Sequence, residues 1–411
     1  MESYIKRISD EELKRKLNAS GVLLIRGMKA CGKTMSAKQF SASVISFDKD
    51  EQVPLLMDTA PQRILVDEWQ EYPKIWNYVR HEVDERNQTS QFILTGSANP
   101  EESIKMHSGA GRFTILDMRT MSWQELGFST GSIKLSDLLD SKPLKIFDNG
   151  SDLDQIIDRM IKGGFPALVN KTTDQAFEIN RAYIDLLAEV DMSRVSNVKR
   201  SPDKVRNLLR SLARNISTLV EIKVLEADIK EREFNDISRP TIYDYLGALE
   251  RLMIIEDQPA WNIHIRSSAS LRKSSKRHFS DVSLAIAALG LGKEALLSDL
   301  KYTGFLFESL VIHDLRVYAQ ANDAKVYHYN DSSGLEIDAI VQKYTGEWSA
   351  FEIKLGTGQI DEAARQLLKF KSLINEQSFQ KLKSLNIITG TGISYTRNDG
   401  INVISLSSLG C

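Results

Sequence analysis

Short apolar runs alternate with longer stretches of mixed polarity over about the first 130 residues. Each run is too short for a helix and is flanked by Gly, Pro or polar residues, a pattern that is typical of buried strands. Strands that alternate with helices form a parallel sheet in an α/β domain. The predicted strands are Val22–Ile25, Val44–Phe47, Ile64–Val66, Phe92–Leu94 and Thr114–Met118.

Helical periodicity dominates from about residue 154 to 260, where Ser238-Arg-Pro-Thr predicts a helix start with Pro240 in the first turn. Residues 129–153, which precede this helical region, are rich in Ser, Gly, Lys and Asp and predict a domain boundary or an irregular connection. A mixed α/β pattern returns after about residue 300, beginning with a helix over Phe305–Leu315. The strands predicted to follow are Lys325–Tyr329, Ile337–Gln342 and Ala350–Ile353.

Composition and charge narrow the class of protein. The 411 residues carry 53 Lys plus Arg against 55 Asp plus Glu, and the net charge of −2 excludes a polybasic chain, though not a local nucleic-acid surface. Two cysteines, Cys31 and Cys411, are too few for a disulfide framework or a zinc site, so a reducing, cytoplasmic setting is expected. The longest apolar run, Leu284–Leu291, falls far below the roughly 18 residues of a membrane span. The stretch Met1–Leu17 is charged throughout and has no apolar core, so no targeting segment is expected.

One motif predicts a phosphate-binding loop. Residues 27–34 fit the pattern G-x-x-x-x-G-K-[ST] directly after a predicted strand, so backbone N–H groups and a following helix would face the phosphates. Lys33 would reach the β- and γ-phosphates, and the Thr34 hydroxyl would bind Mg²⁺. The alternative is a glycine-rich turn with an exposed lysine. The predicted contacts with ATP or ADP are Gly27, Met28, Lys29, Ala30, Cys31, Gly32, Lys33, Thr34 and Met35.

An apolar strand that ends in Asp67-Glu68 supplies the second part of a nucleotide site. Asp67 would hold Mg²⁺, and Glu68 would polarise the attacking water. Glu68 acts as the base only if another strand lies between this strand and the phosphate-loop strand. The run that ends at Thr95 supplies such a strand, and Thr95 or Ser97 would then contact the γ-phosphate or the water; the alternative is that both are turn residues.

Arg112 precedes the next predicted strand. It would act on the γ-phosphate of its own nucleotide or of a neighbouring subunit's nucleotide, as an arginine finger, or be an ordinary surface arginine. Asp48 ends the strand at Phe47 and is expected to be structural.

These residues resemble a large prokaryotic family of AAA-type P-loop ATPases that carry a C-terminal domain of unknown function. The resemblance implies an AAA-like ATPase core, a helical and winged-helix middle and a nuclease-like end. Met28-Lys-Ala-Cys31 departs from the usual loop interior, and Cys31 is either a small filler or a redox-sensitive thiol. Further motifs that fit the family are Ser122-Trp-Gln-Glu-Leu, Gly163-Gly-Phe-Pro-Ala, Ser238-Arg-Pro-Thr-Ile-Tyr-Asp-Tyr-Leu, Phe279-Ser-Asp281, Phe307-Glu308, Gly334-Leu-Glu-Ile-Asp338 and Glu352-Ile-Lys354.

The expected organisation has four parts. The fold class is α/β: a P-loop NTPase (AAA-like) parallel sheet, a helical and winged-helix region, and a C-terminal α/β restriction-endonuclease-like domain. The expected bounds are 1–130 for the ATPase domain, 131–200 for a helical linker or lid, 201–261 for the winged-helix-like domain and 262–411 for the nuclease-like domain.

Acidic residues and a lysine in the last part resemble the PD-(D/E)xK nuclease core. Asp338 ends one predicted strand and Glu352 lies on the next, so both carboxylates would bind one Mg²⁺, and Lys354 points to the same face of its strand. Glu308 and Gln366 would touch the same site. The alternative is a nuclease-like fold used for binding or assembly without cleavage.

Residues 258–280 contain no acid and five basic side chains, interleaved with aromatic residues and histidines. They predict a phosphate-backbone surface, a solvated loop or the rim of an interface. The helix after Ser238 would be a recognition helix or part of a lid, although its acids argue against tight reading of the major groove. The basic side chains are Arg266, Arg272, Lys273, Lys276 and Arg277.

The sequence therefore predicts a cytoplasmic, Mg²⁺-dependent ATPase that couples ATP hydrolysis to conformational change on DNA or on a partner protein, with no membrane contact. Two alternatives stay open: a nucleotide-regulated switch with little turnover, and an ATPase-gated, metal-dependent nuclease. Further copies of the chain are a third class of expected partner, beside DNA and another protein.

Overall fold

The computed structural model describes residues 4–46, 63–96, 109–144, 150–195, 200–232, 236–261 and 274–411. Within these ranges, the N-terminal part is a five-stranded parallel sheet with the order β2-β3-β4-β1-β5. The five predicted strands are confirmed, with ends that shift by one or two residues. The strands are β1 (Val22–Arg26), β2 (Ser43–Ser46), β3 (Ile64–Asp67), β4 (Phe92–Gly96) and β5 (Phe113–Asp117).

Both faces of this sheet are covered, which explains why its strands read as continuous apolar runs. Residues that point to one face, such as Leu23 and Ile25, join a large core with the middle of the chain, whereas Val22 and Leu24 pack in a second core with Trp69. The helices Ser9–Ala19, Lys33–Lys38 and Ile75–Arg86 accompany the sheet in the described part of this region.

The expected irregular connection over residues 129–153 is wrong for its described first half. Strand β6 (Ile133–Lys134) pairs in parallel with β15 (Leu409–Gly410) near the end of the chain. The helix Leu135–Leu139 then buries three leucines, because Leu135, Leu138 and Leu139 all face the main core. The polar composition of this stretch favoured a linker, because polar residues outnumber the few apolar residues that pair and pack.

The middle of the chain is helical, as its periodicity predicts. The helix that begins after Ser238 is confirmed: the Ser238 side chain accepts a hydrogen bond from the Thr241 N–H, and Pro240 lies in the first turn. A single π-turn, Leu187–Asp191, extends the helix Thr173–Leu186. The helix after Ser238 spans Arg239–Arg251, and the other helices are Leu153–Lys162, Met192–Arg194, Pro202–Arg214, Ile222–Arg232, Val282–Leu289 and Lys293–Ser298.

An antiparallel hairpin follows the last helix of the proposed winged-helix region. Its strands are β7 (Ile255–Gln258) and β8 (Lys276–Phe279). The pairing joins residues on both sides of the expected domain boundary after residue 261. Three helices followed by a hairpin is the order of elements in a winged helix, and that assignment stays a prediction.

The C-terminal part is a six-stranded mixed sheet with the order β13-β14-β12-β11-β10-β9. The long helix Leu300–Ala321 packs on one face and the helix Ile360–Leu373 on the other, which places the sheet between two apolar cores. Its strands are β9 (Ala324–Asn330), β10 (Glu336–Lys343), β11 (Trp348–Lys354), β12 (Leu382–Thr389), β13 (Tyr395–Thr396) and β14 (Asn402–Ser405). A short helix, Glu376–Phe379, precedes β12.

Candidate functional site

The phosphate loop connects β1 to the helix Lys33–Lys38, at the carboxyl edge of the parallel sheet. Two of its positions require glycine. A Cβ on Gly27 would lie 2.3 Å from the carbonyl oxygen of Met118, and Gly32 has a φ of 106° in the left-handed region. Gly27 thus lets the loop pack closely against the Met118 carbonyl, and Gly32 lets the backbone turn into the helix.

The ammonium group of Lys33 lies inside this loop. The Lys33 side chain is only 6% exposed, and its Nζ donates hydrogen bonds of 2.9 Å to the carbonyl oxygens of both Gly27 and Met28. The lysine of the motif is therefore held by the same loop that would surround the phosphates. The alternative of a glycine-rich turn with an exposed lysine is wrong for this chain.

Thr34, Asp67 and Thr95 meet at the ends of the helix, β3 and β4. The Asp67 Oδ1 atom accepts hydrogen bonds from the Thr34 hydroxyl at 2.8 Å and from the Thr95 hydroxyl at 2.5 Å. A hydroxyl and a half-buried carboxylate are oxygen ligands of the kind that Mg²⁺ prefers. The donor set on this side of the phosphate loop therefore fits the expected ion.

Strand β4 lies between β1 and β3, as the proposed role of Glu68 requires. Glu68 directly follows β3, adopts a left-handed backbone conformation with a φ of 52°, and accepts a hydrogen bond from the Gln70 amide. A non-glycine residue in this conformation is uncommon and is often found at functional sites. Ser97 and Asp48 lie outside the described residues.

Arg112 cannot act on the nucleotide of its own chain in this structure. The backbone oxygen of Arg112 accepts a hydrogen bond from the Val22 N–H, so Arg112 lies at the start of β1, whereas the phosphate loop follows the end of β1. A five-residue strand separates the two edges by roughly 16 Å. The guanidinium instead pairs with Asp84 at 2.8 Å. The own-site version of the arginine-finger interpretation is therefore wrong, and the neighbouring-subunit version stays a prediction.

We expect the Arg112→Ala variant to bind nucleotide with unchanged affinity, because the arginine lies at the opposite edge of the sheet. Titration of a fluorescent ATP analogue would check this result, and a tenfold loss of affinity would contradict the placement. If Arg112 serves a neighbouring subunit, turnover per chain should rise with protein concentration in the unmodified protein and stay flat in the variant.

Arg7 is a buried contact of the phosphate loop that the sequence did not indicate. Its Nη1 donates to the carbonyl oxygen of Cys31 at 2.9 Å, and its Nη2 donates to the carbonyl oxygen of Arg119 at 2.8 Å. Its Nε pairs with Glu125 at 2.9 Å, and both side chains are almost fully buried. Glu125 belongs to the Ser122-Trp-Gln-Glu-Leu motif, so this motif supports the phosphate loop through Arg7.

The Glu125 carboxylate has several partners. Its Oε1 atom also accepts from the Ile8 N–H at 2.7 Å, and Oε2 accepts from the backbone and hydroxyl of Ser122. Burial alone would raise the pKa of Glu125, but Arg7 and these hydrogen bonds outweigh it, and the net pKa is lowered. The pair therefore stabilises the fold above the ordinary pKa of a glutamate, and this contribution is lost as the pH falls through the lowered value.

We expect Glu125→Gln to lower the free energy of unfolding by about 3–5 kcal/mol at neutral pH, because it leaves the Arg7 guanidinium buried without its carboxylate. Glu11→Gln is the matched control, since Glu11 pairs with Lys6 and Lys14 on the surface, where solvent screens the pairs, and it should leave stability nearly unchanged. Urea unfolding measures both. Equal stability of the two variants would show that the buried pair is not needed.

The helical region contacts the other side of the phosphate loop. Lys29 Nζ forms a 2.5 Å ion pair with Asp191, which lies in the π-turn, and the Tyr183 hydroxyl donates to the Lys29 carbonyl at 3.4 Å. π-turns inside helices are rare and are frequent at functional sites. The loop is therefore held between the N-terminal segment and the helical region.

A second group of charged residues lies between β8, β10, β11 and the long helix. We call Glu308, Asp338 and Glu352 the carboxylate cluster. Lys354 Nζ pairs with Glu352 at 2.8 Å and with Asp338 at 3.2 Å, and the Ile353 N–H donates to Asp338 at 2.8 Å. The structure thus brings together four of the five residues predicted for a nuclease-like site.

Lys276 completes this group and was missed as a member of it. Its Nζ lies 2.9 Å from Glu308, 2.5 Å from Glu336 and 3.8 Å from Asp338, and its side chain is 2% exposed. Within the described residues, no group of three or more His, Cys, Asp or Glu side chains is arranged to hold a metal ion. Gln366 is half-buried on the helix Ile360–Leu373 and makes no hydrogen bond to the cluster there, so its role stays a prediction.

Burial governs the protonation of the cluster. Burial and the neighbouring Asp338 raise the pKa of Glu352, and burial raises the pKa of Glu308 despite the ammonium of Lys276. Burial also opposes ionisation of Asp338, but Lys354 and Lys276 outweigh it, and the pKa of Asp338 is lowered. Asp338 is therefore the member of the cluster whose ionised form its surroundings favour.

The predicted phosphate-backbone surface over residues 258–280 needs correction where the structure describes it. Lys276 is buried in ion pairs, and Arg277 pairs with Asp257 at 3.4 Å. The interleaved Trp261, His278 and Phe279 are buried as well, since they face the core or the hairpin. Arg266, Arg272 and Lys273 lie outside the described residues.

Three stretches of the chain match known protein families. Residues 19–127 match a family described as an AAA domain, and this stretch contains the phosphate loop and all five strands of the parallel sheet. The N-terminal part is therefore an AAA-type domain of the nucleotide-dependent ATPase class. Residues 153–295 and 303–409 match two domains of unknown function (DUF8612 and DUF4143).

Two whole proteins are similar to this chain over most of its length. The uncharacterized proteins Mb2031c of Mycobacterium bovis and Rv2008c of Mycobacterium tuberculosis are each 22% identical over 377 residues, which cover 88% of this chain and 77% of theirs. None of the described helices has both the length and the apolar character needed to cross a membrane.

Solved structures give only a loose likeness. A DNA polymerase III gamma subunit-related protein from Thermotoga maritima is 11% identical, with a TM-score of 0.24 over 59% of this chain and 99% of that one. A signal transduction ATPase with numerous domains from Pyrococcus horikoshii is 13% identical, with a TM-score of 0.23 over 79% of this chain and 50% of that one. Likeness at this level says nothing about activity.

Proposed function

We propose that this chain is a Mg²⁺-dependent ATPase that couples hydrolysis to conformational change on DNA or on a partner protein. The arrangement around Asp67 carries the proposal, because its carboxylate meets both the Thr34 and the Thr95 hydroxyls beside the loop that holds Lys33. Thr34 and Asp67 would hold Mg²⁺, which neutralises charge on the phosphates when bound. Lys33 would exchange its loop carbonyls for phosphate oxygens.

Coupling is supported by the contacts that leave the phosphate loop in two directions. On one side Lys29 pairs with Asp191 of the helical region. On the other side Arg7 links the Cys31 carbonyl to the Arg119 carbonyl, and the Arg119 guanidinium pairs with Glu256 of β7, its Nε lying 3.0 Å from Glu256 Oε2. A movement of the loop on phosphate binding would therefore act directly on both regions.

ATP turnover with and without duplex DNA tests the proposal. Strong stimulation by DNA would support a DNA-coupled ATPase, whereas turnover without stimulation by DNA or by any protein partner would count against coupling. If residues 258–280 contribute phosphate contacts, DNA affinity should fall with log salt, with a slope of about 0.9 per contact. Reversing Arg266, Arg272 and Lys273 to Glu tests this without disturbing the buried Lys276.

One observation favours the second candidate, a nucleotide-regulated switch with little turnover. The Glu68 carboxylate accepts a hydrogen bond from the Gln70 amide, and this contact restrains the proposed base. Gln70→Ala distinguishes the two candidates. A large rise in turnover would indicate a restrained switch, and unchanged or reduced turnover would favour the ATPase.

A further inference from the structure

The Nζ of Lys276 is paired with the carboxylate cluster, in which a nuclease-like site would hold a divalent cation. We propose that the Nζ of Lys276 is a built-in cation that occupies this position, so that the cluster binds Mg²⁺ or Mn²⁺ only when the hairpin β7–β8 withdraws. The proposal concerns the nucleotide-free protein, so it stands or falls separately from the proposed ATPase activity.

Lys276 reaches the cluster from outside the C-terminal sheet. Glu308 lies on the long helix, and Asp338 and Glu352 lie on the adjacent strands β10 and β11, whereas Lys276 comes from the hairpin. Its ammonium contacts carboxylates of the long helix and of β10 at 2.9 Å or less. Buried lysines are rare unless they are paired, and here the pairing is with groups that would otherwise bind a cation.

Both carboxylate oxygens of Asp338 face a positive charge or a hydrogen-bond donor. Asp338 Oδ1 faces Lys276 at 3.8 Å, and Oδ2 accepts from the Ile353 N–H and pairs with Lys354. Glu352 behaves differently. Its Oε1 atom is buried without a hydrogen-bond partner, although the residue is only 2% exposed. A buried carboxylate oxygen without a partner is costly, and a bound divalent cation would satisfy it.

Polar contacts from Gln258 of β7 fix the hairpin at this position. Gln258 pairs with Lys276 in register, and its Nε2 donates at 2.9 Å to the carbonyl oxygens of Tyr327 and Asp338. His278 Nε2 lies 3.0 Å from Gln258 Oε1. These contacts attach the hairpin to the backbone of β9 and β10, so Lys276 can leave only if the hairpin moves.

The hairpin also has a physical connection to the phosphate loop. Glu256 of β7 binds Arg119, and the Arg119 carbonyl binds Arg7, which in turn binds the carbonyl of Cys31. Arg316 adds a second contact to Glu256 at 3.5 Å. The same hairpin therefore joins the phosphate loop to the carboxylate cluster, which makes it the element whose movement would open the cluster.

Mn²⁺ binding to the full-length, nucleotide-free protein tests the proposal by calorimetry and by electron paramagnetic resonance. The unmodified protein and Asp338→Asn should take up Mn²⁺ equally. Lys276→Met should gain one Mn²⁺ site, and the gain should disappear in Lys276→Met combined with Asp338→Asn. Arg277→Met is the matched control: it removes a positive charge from the next residue of β8, which pairs with Asp257 instead, and it should gain no site.

Two results would overturn the proposal. The first is Mn²⁺ uptake by the unmodified protein that Asp338→Asn abolishes, because the site would then be open with Lys276 present. The second is a folded Lys276→Met protein that gains no site. If Lys276→Met does not fold, Lys276→Met with Glu308→Gln restores the balance of charge, and Mn²⁺ should raise the melting temperature of this double variant but not that of the unmodified protein.

Discussion

Lys33→Ala is expected to abolish measurable ATP binding at micromolar protein and nucleotide concentrations. The substitution removes the ammonium that the loop holds at the Gly27 and Met28 carbonyls, and with it the positive charge that would meet the β- and γ-phosphates. Hydrogen bonds to charged groups contribute about 1.5–3 kcal/mol each. Losing two such bonds from Lys33 to the phosphates therefore corresponds to roughly 10²- to 10⁴-fold weaker binding. Calorimetric titration with ATP measures this loss.

Lys38→Ala is the matched control, since Lys38 lies on the same short helix but is exposed. It should bind ATP as the unmodified protein does. In Lys33→Ala, two carbonyl oxygens of the loop lose their hydrogen-bond donor. Thermal unfolding of the nucleotide-free variant shows whether the fold survives this loss. A folded Lys33→Ala protein with unchanged affinity and turnover would contradict the phosphate-loop assignment.

The parallel sheet could be predicted from sequence because each strand is marked by residues that are adjacent in the chain. Each strand is a short apolar run, and the position of β4 between β1 and β3 follows the order that the role of Glu68 required. The same local reasoning placed Asp67 and Thr95 at the carboxyl edge. Arg112 was open to the same argument, since a residue just before a parallel strand lies at the opposite edge from one just after it.

Arg7 and Lys276 could not be found in this way. Arg7 acts on a loop 24 positions later and on Glu125 a further 94 positions on, and no periodic pattern connects them. Lys276 lies in a basic stretch, for which a surface role is the natural interpretation. Only the pairing of β8 with β7 directs its side chain toward the carboxylate cluster. Both are charged residues buried by contacts between distant parts of the chain.

The shared feature of the two sites is a buried cation that takes its partners from different regions. Arg7 joins the N-terminal segment to the phosphate loop, and Lys276 joins the hairpin to the C-terminal sheet. Removing one member of such a buried set leaves uncompensated charge, which is why each set fixes the relative position of the parts it joins. Arg119 and Glu256 lie between the two sets and connect them.

Glu68→Gln is expected to leave ATP binding intact while turnover falls by about two to four orders of magnitude, the usual contribution of a general base. The amide keeps the size of the side chain and its contact with Gln70, and Thr34 and Asp67 remain to hold Mg²⁺. Single-turnover hydrolysis measured beside equilibrium ATP binding separates chemistry from affinity.

The control for this substitution is Glu71→Gln, which alters an exposed carboxylate three residues later in the turn Trp69–Glu71. It should hydrolyse ATP at the normal rate, because Glu71 is exposed and does not follow β3 directly. A Glu68→Gln protein that also turns over ATP normally would move the base to another residue. A protein that loses ATP binding together with turnover would instead show that Glu68 supports the nucleotide site structurally, through its left-handed backbone and its contact with Gln70.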